Sequence, residues 1–157
     1  MRTIIVLSLL FLACHAETPA PTKLTAGSIL QQVKEKGARK VLQEYSSASL
    51  QWHAILKHIE TGDAEWLAVA SELRAVSDAG YSQDLDFSVA TALPKNPSGV
   101  LRLKHFALER VCDVPYLEPS EKTVHDFQTK AAAALETVRD ADLQDRKKKC
   151  RTILMAP

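Results

Sequence analysis

Apolar residues fall into two regimes along this chain. Residues 4–13 are apolar apart from Ser8, whereas from Leu24 onward apolar positions recur three and four apart with polar residues between them. That second spacing is the period of amphipathic helices, and the alternation that marks strands is absent. The pattern predicts an all-α domain over residues 24–157, a compact bundle of about six to seven short amphipathic helices.

Start and stop signals divide the helical region. Ser28 with Gln31 reads as a capping box for a helix over residues 29–36, and Gly37 interrupts it before the pattern resumes at 38–45. The next helix carries Trp52, Ile55, Leu56 and Ile59 on one stripe and stops at Gly62. Asp63 then caps a helix whose stripe is Trp66, Val69, Ala70 and Leu73. The two stripes share one register, so they predict consecutive antiparallel helices with both tryptophans as core anchors. A turn at 77–80 follows, and Ser82 is placed to cap a helix carrying Leu85, Val89, Ala92 and Leu93, which Pro94 ends. Asn96 and Pro97 give a capping residue with proline at the first helical position, starting a helix expected to run to about residue 111. Prolines at 115 and 119 make residues 112–119 a loop. Ser120 then starts a long helix through the alanines at 131–134, and Asp140 is placed to cap the last one.

The N-terminal regime has a different reading. Arg2 precedes the apolar run, and the small residues Cys14 and Ala16 fit a signal peptidase site, so residues 1–16 are expected to be an export signal cleaved after Ala16. Ten apolar-regime residues fall short of the roughly 20 that cross a bilayer, which argues against a permanent anchor. Lipidation at Cys14 is the sharper rival, although Phe11 and Leu12 depart from the usual pattern before a lipidated cysteine. Residues 17–23, ETPAPTK, combine two prolines with small polar residues and read as a flexible tether. The expected address is periplasmic or secreted, and no later stretch is apolar for long enough to span a bilayer.

Removing the signal changes the charge balance. The chain holds 20 Lys and Arg against 19 Asp and Glu, and losing Arg2 brings the formal net charge to zero. A nucleic-acid binder ordinarily shows a basic surplus, so nucleic acid is not an expected partner. The one basic run, Arg146 to Lys149, reads as the solvated last turns of a C-terminal helix, with a binding patch as the alternative. Losing the signal, or acylating Cys14, also leaves two cysteines. In an exported chain Cys112 and Cys150 then make one disulfide, with a chain-entropy contribution of roughly 4 kcal/mol.

The segment WHAILKHIETGDAEWLAVASELRAVSDAG, followed by ALPKNPSGVL and then a cysteine before a proline loop and a second cysteine near the end, resembles a group of exported all-helical proteins of Gram-negative bacteria. The resemblance covers about residues 29–154. It implies a periplasmic address and the Cys112–Cys150 bridge, and its motifs describe helix packing, so no functional residue transfers with it. Its rhythm is similar to HEAT-like helix pairing, but the helices do not repeat at the ~40 residues such arrays need.

Catalytic spacings are missing from the sequence. There is no GxSxG, HExxH, GxGxxG or P-loop pattern. His53 and His58 lie about 140° apart around one helix, a poor arrangement for one metal, and His105 and His125 stand alone. No catalytic residue, metal or cofactor is expected. Carboxylates gather near helix junctions, Glu60, Asp63 and Glu65 at one and Asp78, Asp84 and Asp86 flanking the next. Of these Glu60, Asp63, Asp78 and Asp84 form a candidate edge for acid/base work or cation binding, with capping and dipole complementarity as the plainer explanation. Two loops carry tyrosines suited to an interface, Tyr81 within 77–83 and Tyr116 with Leu117 within 113–119. Tyrosine on a constrained loop buries large area at low ordering cost, or packs on its own core. The leading expectation is a non-catalytic module that binds another exported protein, as an inhibitor or immunity-type factor would. A small hydrolase or ligand-binding enzyme on the carboxylate edge, and an envelope-tethered lipoprotein, are the alternatives.

Overall fold

A computed structural model describes residues 24–156. The expected signal at 1–16 with Cys14, and the expected tether at 17–23, lie outside the described residues. Among those described, the chain forms nine α-helices and one 3₁₀ turn without a strand. The all-helical expectation therefore holds, with more elements than the six to seven anticipated.

Helices α1 (Ala26–Lys36), α2 (Ala38–Ser46), α3 (Ser49–Ile59), α4 (Ala64–Arg74) and α5 (Ala79–Ala92) pack mainly on one another. The start of α1 comes three residues before the expected position. Thr25 is its cap, accepting from the Ser28 N–H at 3.1 Å while its own N–H donates to Ser28 Oγ at 3.3 Å. The earlier start brings Ala26 into the buried stripe with Ile29, a gain that the Ser28–Gln31 box would forgo. Gly37 parts α1 from α2 at φ 85°, a conformation that costs glycine little. The stripes of α3 and α4 are buried as their spacing predicts: Trp52, Ile55, Ile59, Trp66, Val69, Ala70 and Leu73 all lie in one continuous core, with Leu56 at its edge. Asp63 caps α4 as expected, accepting from Glu65 N–H at 2.9 Å and Trp66 N–H at 3.3 Å. By contrast, α5 starts after Asp78 rather than after Ser82. The Ser82 hydroxyl pairs with that of Ser77 at 2.8 Å, which fastens the turn to the helix it precedes.

The second half is more broken than its sequence suggests. Helix α6 (Pro97–Arg102) is capped by Asn96, whose Oδ1 accepts from Gly99 N–H at 2.8 Å. It ends at Leu103, and the short α7 (Leu108–Val111) begins only after Ala107. No proline or glycine causes this break. Leu103 turns extended at ψ 125°, its side chain and that of Phe106 are buried, and its carbonyl accepts from Arg146 Nη2 at 3.3 Å. Ser120 caps α8 (Glu121–Thr137) as expected, with Thr123 N–H donating at 3.2 Å. A 3₁₀ turn (Ala141–Leu143) leads into α9 (Gln144–Leu154). Asp140 makes no capping bond there. It instead accepts from Arg102 at 2.8 Å and from Ser98 Oγ at 3.0 Å, tying the turn to α6.

Helix α9 fastens this half together. Its Cys150 and the Cys112 that ends α7 are both buried, at disulfide distance with Cα atoms 5.3 Å apart. The basic run occupies the first half of α9 rather than its last turns, a correction of its expected place; Lys148 and Lys149 are exposed, while Arg146 and Lys147 are half-buried. Arg146 donates to the last residue of the α6 turn, Leu103, and Lys147 Nζ lies 3.5 Å from the Val138 carbonyl that ends α8. Cations at those sites complement the negative ends of two neighbouring helices. Lys147 also pairs with Glu136 at 3.3 Å, and Arg151 binds the same carboxylate. The Lys147 hydrogen bond, then the charges of Lys147 and Arg151, hold the Glu136 carboxyl below the usual carboxylate range. Among the described residues no helix is long and apolar enough to cross a membrane.

Candidate functional site

The loop between α7 and α8 carries two of the large apolar side chains that stand exposed among the described residues, Leu50 and Met155 being the others. Leu117 is 77% exposed and Tyr116 43% exposed, although both are residues that a folded chain ordinarily covers at least in part. Pro115 is buried and Pro119 half-buried on either side, and Glu118 sits at φ 47°. The prolines and the left-handed residue fix the backbone that displays the two side chains. Tyr116 lies edge-on against Phe127, ring centroids 6.1 Å apart.

Beside this loop runs a groove of about 740 Å³ between α5 and α8. Helix α8 has two stripes. Ala131 and Leu135 face the core with Phe127, which also meets the groove, while Lys130, Ala133, Ala134 and Thr137 line it opposite Thr91 and Pro94 at the end of α5. Small residues at positions 133 and 134 keep the floor low, and Lys95 and Lys130 stand at its borders. The site can therefore receive an apolar side chain between two cations.

Tyr81 belongs elsewhere. It lies in the first turn of α5, half-buried, with its ring edge-on to Trp52 at 5.6 Å. Ten helical residues, about 15 Å, separate it from the Thr91 that borders the groove. The structure brings Tyr116 and Leu117 together and leaves Tyr81 packed at the other end of the same helix.

The candidate carboxylates are dispersed as well. Glu60 pairs with Lys57 at 2.9 Å, Asp63 caps α4, Asp78 ends the turn before α5 without a side-chain cap bond, and Asp84 accepts from Trp52 Nε1 at 2.9 Å. Asp63 and Asp78 flank the two ends of α4, whose eleven residues span about 16 Å. Three of the four thus have a structural partner, and they do not share one cleft. Among the described residues no group of three or more His, Cys, Asp or Glu is placed to hold a metal ion. His58 stacks on Trp66 with centroids 4.4 Å apart and planes 5° from parallel, and His53 Nδ1 lies 2.6 Å from the Ser49 carbonyl.

Asp86, one of the junction carboxylates, lines a polar cleft that its position in the sequence did not predict. Arg74 Nε donates to Asp86 Oδ1 at 2.9 Å, and both line a cavity of about 360 Å³ with Arg110 and Asp113. Asp86 is only 6% exposed. The signal was present: Val89, Ala90 and Leu93 follow Asp86 at three, four and seven, so an aspartate occupies the apolar stripe of α5. A buried carboxylate requires a partner, and Arg74 on the preceding helix supplies it. Comparisons of the chain with family models, with curated proteins and with solved structures gave no match.

Proposed function

We propose that this protein is an exported, non-catalytic binding module that engages another exported protein through the Tyr116–Leu117 loop and the adjoining groove, as an inhibitor or immunity-type factor would. The observation that carries this reading is the exposure of Leu117 and Tyr116 on a loop fixed by Pro115 and Pro119, next to an apolar trough. Large side chains on a stiff backbone lose little freedom on binding, which is the usual character of interface anchors. In this reading the helices form one compact bundle over residues 24–157, with α1–α2 and α3–α4 paired in a HEAT-like manner. Export is supported by the pattern of residues 1–16 and by the Cys112–Cys150 pair, because disulfides persist in oxidising compartments. The carboxylate-edge enzyme finds no comparable support, since Glu60, Asp63 and Asp84 are each engaged locally.

The test compares protein beginning at Glu17 with its Leu117→Asp and Tyr116→Ala variants as baits against envelope and secreted fractions of the native organism. The expected result is a stoichiometric partner that the Leu117→Asp bait loses and the Tyr116→Ala bait holds at least fivefold more weakly. A partner retained by both variants would place the interface elsewhere. An empty capture by all three baits would remove the binding-module reading. The intact mass of the protein from its own host reports the processing, cleavage after Ala16 or acylation at Cys14.

A further inference from the structure

We propose that the cleft bordered by α4, α5 and α7 binds a small zwitterion, an amino acid or short peptide, with its carboxylate at Arg74 and Arg110 and its ammonium group at Asp113. This site is separate from the Tyr116 groove and does not depend on that reading. Asp86 is the foundation. It is buried to 6% exposure, and its Oδ1 holds Arg74 through the Nε edge of the guanidinium at 2.9 Å. Phe106 lies beneath the same guanidinium, 5.7 Å from ring centroid to Cζ. A guanidinium fixed at Nε keeps two Nη groups for a further acceptor, and among the described residues no protein acceptor takes them. That planar pair matches a carboxylate.

The mouth of the cleft supplies the second half of the argument. Arg110 and Asp113 both line it and both are exposed. They carry opposite charges three residues apart, yet among the described residues neither forms an ion pair with the other or with any third group. Asp113 is held by its own turn, where Oδ1 accepts from Val114 N–H at 2.7 Å. The inner pair Arg74–Asp86 neutralises itself, so the cleft offers one uncompensated charge of each sign. A simple anion such as phosphate would meet Arg110 but also face Asp113 and Asp86. A simple cation meets the converse problem. A ligand with both charges satisfies both, and Phe87 and Val114 give its carbon skeleton an apolar wall. The volume of about 360 Å³ suits a molecule of that size.

Titration calorimetry on the folded protein tests the proposal, with L-phenylalanine and L-alanyl-L-alanine as probes and acetate, inorganic phosphate and methylammonium as single-charge controls. Saturable binding of at least one zwitterion, about tenfold or more tighter than every control, is expected. Arg110→Gln and Asp113→Asn are each expected to weaken it about tenfold, the effect of losing one charge-assisted hydrogen bond. Both side chains are exposed, so the melting temperature of these variants serves as a check that the fold is intact. No saturable zwitterion binding would overturn the proposal. So would acetate or phosphate binding as tightly as the zwitterions, or full affinity in both variants.

Discussion

The indole Nε1 of Trp52 donates to Asp84 Oδ2 at 2.9 Å, joining a buried residue of α3 to a half-buried one of α5. Asp84 therefore satisfies a donor that the core would otherwise strand. Replacing it with alanine leaves that N–H without a partner, at an expected loss of about 1–3 kcal/mol. Asp84→Asn retains an oxygen acceptor and should lose less. Urea denaturation of the two variants beside the parent protein measures the difference, and equal losses would show that the indole bond contributes nothing specific.

The Cys112–Cys150 bridge closes a sequence separation of 38 residues. Restricting the unfolded chain over such a loop contributes roughly 4 kcal/mol. For a chain of this size the corresponding fall in melting temperature is roughly 10 °C. Thermal melts of the oxidised protein, the fully reduced protein and the Cys112→Ala/Cys150→Ala double variant check this. An unchanged melting temperature in the reduced sample, with free thiols confirmed by mass, would contradict it.

Glu136 sets an acid limit on the contact between α8 and α9. Its folded carboxyl titrates below its unfolded value because of the Lys147 hydrogen bond and the charges of Lys147 and Arg151. The stabilisation is therefore fully present above the unfolded carboxylate range and disappears as pH falls through the lower folded value. Wild-type protein should melt higher than Glu136→Gln at pH 7, and the gap should close in acid. The gap should also narrow with added salt, since Glu136 is exposed. A difference that persists undiminished below pH 2 would rule out the ion pairs as its source.

Gly62 and Asn96 lock the α3–α4 turn to the start of α6. Asn96 Nδ2 donates to the Gly62 carbonyl at 2.8 Å, and Gly62 adopts φ 77°. A Cβ at position 62 would stand 3.1 Å from Asn96 Cβ and 3.2 Å from Lys95 Cβ. Gly62→Ala combines backbone strain with this close approach, and a loss of about 1–3 kcal/mol is expected in chemical denaturation. A neutral result would mean that the turn relaxes without cost.

Much of the helical order was legible because the governing interactions are local. The stripes beginning at Trp52 and Trp66, the stop at Gly62 and the caps at Asp63 and Ser120 depend on neighbours within one or two turns. The misplaced boundaries have distant causes. The α6 break follows from burial of Leu103 and Phe106 and from Arg146, 43 residues after the carbonyl that it meets. Helix α1 starts at Ala26, capped by Thr25, because Ala26 finds cover in the core. Exposure is similarly non-local: Tyr81 and Tyr116 look alike in sequence, and each meets a distant aromatic ring, Trp52 or Phe127, yet Tyr81 is half-buried and Tyr116 exposed. The carboxylates near helix junctions looked like one edge because the length of α4 between Asp63 and Asp78 does not register as distance in a linear reading. Asp86 was the opposite case, a local irregularity in an apolar stripe whose meaning depended on Arg74.

The fastening role of α9 has a consequence for the order in which the chain acquires its structure. Helices α1 to α5 find most of their neighbours among themselves, so they can consolidate without the C-terminal helix. The closing of α6 and α8 at Leu103 and Val138, and the covalent tie at Cys112, all await a helix made last. A chain truncated before α9 would keep a settled first half, but its second half would be left with the ends of α6 and α8 uncovered and the Cys112 thiol without its partner.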